Sequence, residues 1–262
     1  MPWIEANGAW LRYELSGSGS ETLVLMHEAG GCLESFDEAM PALNKEFRVL
    51  RYDQRGFGFS EKIRELSLDV VANDLAGLLD ALKITTSVFA AGFAMGSDLL
   101  VAFATRYPQR VSKLLLASPN MGPPGDARVT RNLGRAALVE REGMRAAMDM
   151  SQDVAYPEHL RARDPERFRR YRARWLCNTP ASFTAIAKMM STVDLESEYP
   201  KLKAKILVIG AKHDTQRNPE KAQRIAKAIP GAIYEDADSG HFMNVQTPDL
   251  FATTAVRFFK GK

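Results

Sequence analysis

Ser87-Val88-Phe89-Ala90-Ala91-Gly92-Phe93-Ala94-Met95-Gly96 is the stretch that decides how this chain folds. A short apolar run of strand character ends in a pentapeptide with the frame G-x-S-x-G, in which Ala94 stands where the serine belongs. That frame marks a sharp strand-to-helix turn that holds one side chain above the edge of a sheet. Glycines flank it because a larger residue would clash there. The adjoining residues agree: Asp98 to Tyr107 carries Leu99, Leu100, Val101, Phe103 and Ala104, the apolar content of a packed helix. The turn is framed for a nucleophile, and the attacking atom is missing.

Strand and helix signals alternate on both sides of this turn. Trp10 to Leu15 alternates like a strand, and Thr22 to Met26 is a continuous apolar run, as a strand buried on both faces should be. Phe47 to Tyr52, Val111 to Ala117, Ile206 to Ile209 and Ala232 to Glu235 read the same way. Leu68 to Leu82 and Pro248 to Phe259 carry helical periodicity. The repeated strand–helix order predicts an α/β chain with a doubly wound, mainly parallel sheet covered by helices on both faces. Between Pro119 and Pro200 the pattern changes. Pro123-Pro124-Gly125 breaks the chain, and beyond it lie only helix-like segments, at 131–150, 157–175 and 182–193. The expected organisation is a core built from 1–120 and 201–262, with a helical cap over 121–200 inserted after the sixth strand.

Composition sets outer limits. The 262 residues are 45% hydrophobic and 26% charged, with a net charge of +3, which alone gives no reason to expect nucleic acid as a partner. Cys32 and Cys177 show neither metal-ligand spacing nor a disulfide framework, so free thiols and no metal are expected. No apolar run approaches the roughly 20 residues that span a bilayer. The N-terminus lacks a basic region followed by an apolar one, so no signal peptide, no membrane association and a cytoplasmic location are expected.

Chain order gives Ala94 its partners. Enzymes built on such a sheet place nucleophile, acid and histidine in that order, each past the C-terminal end of a strand. Asp214 lies just beyond Ile206-Leu207-Val208-Ile209, and His241 lies in the Gly-flanked loop Ser239-Gly240-His241-Phe242 after the last strand. The histidine of a triad removes the nucleophile's proton, and the carboxylate fixes its tautomer and stabilises the imidazolium. His213 adjoins Asp214 but is expected to point away from it. Ser97, one helical turn beyond Ala94, is not placed to replace the missing hydroxyl.

Five motifs in the right order carry a resemblance across nearly the whole chain: Met26-His27-Glu28-Ala29-Gly30, Tyr52 to Ser60, Gly92 to Gly96, Gly210…Asp214…Pro219, and Ser239-Gly240-His241. The sequence resembles the α/β-hydrolase fold superfamily. Within it the chain is most similar to the 3-oxoadipate enol-lactonase and small-ester hydrolase group. That similarity runs through Glu142-Gly143-Met144, Asp164-Pro165-Glu166 with Arg170-Tyr171-Arg172, Asn178-Thr179-Pro180, and Ala228 to Ala232. It implies hydrolysis of a small lactone or carboxylic ester by a Ser-His-Asp mechanism, without metal or organic cofactor. It also implies an oxyanion hole made by the backbone N–H groups of Ala29 and Met95. Two positions depart from the group: Glu28, where the group usually has glycine, and Ala94 itself.

Ala94 admits three readings: a nucleophile-to-alanine variant of a hydrolase, a natural non-hydrolytic member using a His241–Asp214 dyad as general base for oxygenase or lyase chemistry, and a binding-only pseudo-enzyme. Retention of both Asp214 and His241 favours the first, an enzyme of the lactonase/esterase class whose present chain is inactive or greatly impaired. Seven arginines between Arg161 and Arg174 suggest a solvated helix face, or one or two guanidinium groups turned inward to pair with a substrate carboxylate. Arg170 and Arg174 are the candidates for that role. His27, Glu28 and Trp175 complete the candidate substrate contacts, with His27 read chiefly as shaping its turn. The expected partner is a small molecule, a carboxylate-bearing lactone or ester; a homodimer is left open.

Overall fold

A computed structural model of the chain describes residues 1–120 and 125–261. The Pro123-Pro124 break and the first residues of the expected cap lie outside the described residues. The strands are β1 (Trp3–Ala6), β2 (Ala9–Ser16), β3 (Thr22–Met26), β4 (Arg48–Tyr52), β5 (Val88–Phe93), β6 (Val111–Ala117), β7 (Lys205–Ala211) and β8 (Ile233–Ala237). The helices are α1 (Met40–Leu43), α2 (Leu68–Ala81), α3 (Met95–Arg106), α4 (Asp126–Ala155), α5 (Glu158–Arg163), α6 (Pro165–Leu176), α7 (Pro180–Thr192), α8 (Pro219–Ala228), α9 (Met243–Gln246) and α10 (Pro248–Lys260).

The eight strands form one sheet in the order β1-β2-β4-β3-β5-β6-β7-β8. The β1/β2 and β2/β4 pairs are antiparallel and every other pair is parallel. The sheet is doubly wound, as the alternation of signals predicts. Successive strand residues point to opposite faces, and the two cores divide accordingly. Val24, Met26, Leu114, Leu116, Ile206 and Val208 pack with α2, α3 and α8 on one face. Leu23, Leu25, Leu115, Ala117, Leu207 and Ile209 pack with Phe36, Leu43 and the α10 phenylalanines Phe251, Phe258 and Phe259 on the other. That is why these strands read as unbroken apolar runs. Each such side chain contributes about 1.5–3 kcal/mol by leaving water.

β3 lies between β4 and β5, so the connections leaving β3 and β5 diverge, and a crevice opens past their carboxyl ends. Met26 pairs with Gly92 across that crevice, which brings the turn after β3 beside the turn after β5. α4 to α7 lie between β6 and β7 in sequence. α4 is broken at Gly143, whose φ of 81° and ψ of 179° are non-helical. A third apolar cluster joins these helices to the crevice: Val139, Met144, Met148, Tyr156, Tyr171, Trp175 and Phe183 pack together with Ala94, Phe242 and Val245. The helices between β6 and β7 therefore roof the carboxyl ends of the sheet strands.

Candidate active site

The turn after β5 is a strained one. Ala94 has φ 51° and ψ −113°, a conformation with positive φ that costs a non-glycine residue about 1–3 kcal/mol. Close packing enforces it. A Cβ on Gly92 would sit 2.5 Å from the carbonyl oxygen of Gly96, and one on Gly96 would sit 2.3 Å from that of Met26. The Ala94 N–H donates to Ala117 O at 2.9 Å, which ties the turn to β6. The Ser97 hydroxyl lies 2.7 Å from Gly92 O and 2.9 Å from Ala117 O. It holds the turn from beneath and is not directed at the site.

His241 Nδ1 lies 2.6 Å from Asp214 Oδ2. Asp214 Oδ1 accepts the N–H groups of Gln216 and Arg217, each at 2.9 Å. Burial alone would raise the Asp214 carboxyl. The His241 charge and hydrogen bond, with the Arg217 N–H, outweigh it and hold the group well below the usual carboxylate range. The loop carrying His241 is fixed to the roof: Gln246 Nε2 donates to Ala155 O at 2.8 Å while its Oε1 accepts the Phe242 N–H. A Cβ on Gly240 would meet that Oε1 at 2.5 Å and Pro157 at 2.8 Å. His213 turns away, 2.8 Å from Asp238.

Ala29 and Met95 both line the cavity that contains Ala94 and His241. Met95 is the first residue of α3, so its N–H has no acceptor within the helix. The Ala29 N–H makes no backbone hydrogen bond among the described residues. Two N–H groups without a backbone acceptor among the described residues therefore border the cavity beside the strained turn.

Glu28 and His27 are buried under the turn rather than exposed to the cavity. His27 Nδ1 lies 2.8 Å from Glu28 O, and its Nε2 accepts the Gln54 N–H at 3.1 Å. The Glu28 carboxylate accepts from Ser35 Oγ at 2.9 Å and from Asn244 Nδ2 at 2.8 Å. It thereby links the turn after β3 to α9, just beyond the His241 loop. As substrate contacts both residues are corrected: neither lines the cavity. Trp175 does line it, and packs over Gly30 and against Phe183 at 4.8 Å between ring centroids.

The arginines require a second correction. Arg170 is half-exposed and pairs with Glu38 at 3.0 Å, while Arg174 lies beside a separate surface pocket with Glu34 and Glu38. α6 turns Tyr171 and Trp175 inward at i, i+4 spacing, which leaves its arginines on the outer face. The cations of the cavity come from elsewhere: Arg131 and Arg135 on α4, and Arg217 beyond Asp214. Burial, and next the neighbouring Arg131 cation, push the Arg135 guanidinium down to about 10. Arg217 Nη2 lies 3.0 Å from buried Asp98, and its Nη1 donates to Ser118 O at 2.7 Å. Arg128, Arg131 and Arg135 stand at i, i+3 and i+7 on the stripe of α4 that also carries buried Val139. Arginines on an apolar stripe are the sequence signal that points to them. Asn120, Met148, Ile186 and Phe242 supply further wall of the cavity.

Among the described residues, Cys32, Glu34 and Asp53 bring donor atoms within 4.8 Å of one another. Arg12 already pairs with Glu34 at 2.7 Å and with Asp53 at 2.5 Å, so this cluster is an ion-pair core under β2 and β4 rather than a metal centre.

Residues 18–236 match the family model described as serine aminopeptidase, S33. The chain belongs to this family of α/β hydrolases. The S33 match takes in the sheet from β3 onward, the elbow and Asp214. Among solved structures of this fold, the enol-lactonase from Burkholderia xenovorans LB400 is similar at 29% identity and a TM-score of 0.92, over 99% of this chain and 100% of that one. A thermophilic esterase from Thermogutta terrifontis, solved with malate bound, is similar at 25% identity and a TM-score of 0.94, over 100% and 99%. A RutD-type protein of Caulobacter segnis, provisionally named a carbamate hydrolase, is 26% identical over 95% of this chain and 96% of its own length. The chain thus carries a hydrolase fold with Ala94 at the turn between β5 and α3. Among the described residues no helix is long and apolar enough to cross a membrane.

Proposed function

We propose that this site accepts a small lactone or carboxylic ester bearing a carboxylate, and that the present chain binds such a molecule but scarcely turns it over. The observation that carries the reading is the His241–Asp214 contact of 2.6 Å beside a strained elbow with two free N–H donors. That machinery is shaped for acyl transfer and lacks one oxygen atom. With serine at 94, Oγ would attack the acyl carbon while His241 Nε2 takes its proton. The N–H groups of Ala29 and Met95 would hold the oxyanion. The alcohol would leave with the proton from His241, and water, deprotonated by His241, would release the acid. Arg131 and Arg135 favour an acyl group that carries its own carboxylate, since a guanidinium pairs with a carboxylate through two parallel hydrogen bonds. The enol-lactonase and the malate-bound esterase support the same class of ligand. A carbamate, suggested by the RutD-type relative, would pass through the same tetrahedral intermediate but gives the two arginines no carboxylate to hold.

The test is Ala94→Ser. A burst of p-nitrophenolate from p-nitrophenyl acetate, close to one equivalent per protein, is expected, with turnover rising on the order of a millionfold. A folded Ala94→Ser protein that binds malate yet shows neither burst nor turnover would refute the serine mechanism and favour general-base chemistry by the dyad alone.

A further inference from the structure

Outside the catalytic cavity lies a second, open concavity. Arg128, Arg131, Arg217, Lys221 and Arg224 line it, and Glu196 is the one acid among its described lining residues. It shares Asn120, Arg131, Gln216 and Arg217 with the catalytic cavity, so the two adjoin. We infer that this basic vestibule binds a second anionic group of the substrate, a phosphate or carboxylate on the part that projects out of the catalytic cavity.

Unmet charge carries the inference. Five of the seven arginines between Arg161 and Arg174 have acidic partners: Arg161 with Asp153, Arg167 and Arg170 with Glu38, Arg169 with Glu166, Arg172 with Asp149. The vestibule is different. Arg128 is more than nine-tenths buried, donates through Nη2 to Val193 O, and leaves Nε and Nη1 without a partner. Arg131 and Arg224 form no ion pair or side-chain hydrogen bond among the described residues, and Lys221 Nζ reaches only Gln216 O, at 3.2 Å. Arg217 is the one cation with a close carboxylate, Asp98. Burial lowers the pKa values of Arg128 and Arg131, and repulsion from Arg217 acts in the same direction on both. Asp98 and Asp194 act on Arg128 and Asp98 pairs with Arg217, but the five cations outnumber these acids, and such an excess favours a bound oxyanion, to which guanidinium groups offer paired donors. The vestibule adjoins the catalytic cavity on the side of Arg131 and Arg217, so both anionic groups can belong to one molecule. The inference rests on the ligand reading above only in that last step.

The experiment is calorimetric titration of the full chain with inorganic pyrophosphate, with tricarballylate and, separately, with malate, at low ionic strength. The perturbed protein is Lys221→Ala/Arg224→Ala; both side chains are exposed on α8, and neither belongs to the catalytic machinery. Saturable binding of pyrophosphate or tricarballylate is expected, weakened at least tenfold in the double variant, with malate affinity unchanged. Which of the two binds more tightly distinguishes a phosphate from a carboxylate group. In an Ala94→Ser background, KM for an ester with an anionic alcohol portion should rise about tenfold in the double variant, while kcat and the KM of a neutral ester stay constant. Equal anion affinity in parent and double variant, or no saturable binding of either probe, overturns the vestibule. Loss of malate binding with the pyrophosphate result intact would instead sink the reading of the catalytic cavity.

Discussion

Replacing Arg135 by methionine should make this protein more stable and a poorer binder at once. Arg135 reaches the catalytic cavity from α4, its Nε has no hydrogen-bond partner among the described residues, and its pKa falls to about 10. The cause is burial first and Arg131 second. A cation whose folded pKa is depressed is destabilising wherever it is protonated. Between the two pKa values the unfolded chain holds the proton and the native chain does not, so stability rises with pH there. At neutral pH the whole penalty is present. A depression of that size amounts to a penalty of about 3 kcal/mol. Side-chain adjustment relieves part of that, so Arg135→Met, which keeps the apolar stem, should gain about 1–3 kcal/mol. For a chain of this length each kcal/mol moves Tm by about 2–4 °C. The same change removes a charge-assisted hydrogen bond to the substrate carboxylate, which costs about 1.5–3 kcal/mol, or about 10–100-fold in Kd. Urea unfolding at neutral pH and malate titration of the same preparation measure both. Destabilisation at unchanged m-value would refute the burial argument, and unchanged malate affinity would remove Arg135 from the ligand site.

Two further outcomes are expected from the geometry. The depressed Asp214 carboxyl contributes stability that is complete above its unfolded pKa near 3.8 and is lost as pH falls below it, so Asp214→Asn should flatten acid unfolding followed by circular dichroism; an unaltered acid limb would contradict the His241 pairing. Gly30 has φ 83°, and a Cβ there would stand 2.2 Å from the Trp175 ring, so Gly30→Ala should cost about 2–4 kcal/mol and shift Trp fluorescence, whereas a silent substitution would mean that Trp175 does not seal the turn.

The framework is legible in the sequence because it is written in short-range constraints. Gly92 and Gly96 are fixed by backbone contacts under 3 Å, and the apolar runs of β3, β6 and β7 arise from burial on both faces. β1 is not legible: four residues with Trp3 and Glu5 exposed carry no pattern, and only pairing with β2 makes them a strand. α8 is hidden because Asn218-Pro219, its cap and first residue, read as part of the Asp214 loop. The arginines mislead for a different reason. Their density in α6 draws attention to Arg170 and Arg174, but direction in a helix depends on phase, and Tyr171 and Trp175 claim the inner face. Glu28 is legible as an anomaly and not as a contact. Its partners Ser35 and Asn244 are 7 and 216 residues away, and nothing local announces the second.

Ala94 gains its meaning from how little around it depends on a hydroxyl. The positive-φ backbone is enforced by the two glycines, by the N–H bond to Ala117 and by Ser97, none of which touches the side chain at 94. The Asp214–His241 pair is held by the Gln216 and Arg217 N–H groups and by the roof contacts of Gln246, again independently of residue 94. The donors of Ala29 and Met95 are backbone groups. Two features of the site cost free energy in the unliganded fold: about 1–3 kcal/mol at the elbow, and the desolvation of Arg135. A site this preorganised recovers such costs through what it binds. On the proposed reading, one missing oxygen removes the covalent step and leaves the surrounding geometry whole, so restoring a single atom with Ala94→Ser is the most direct way to learn what the site acts on.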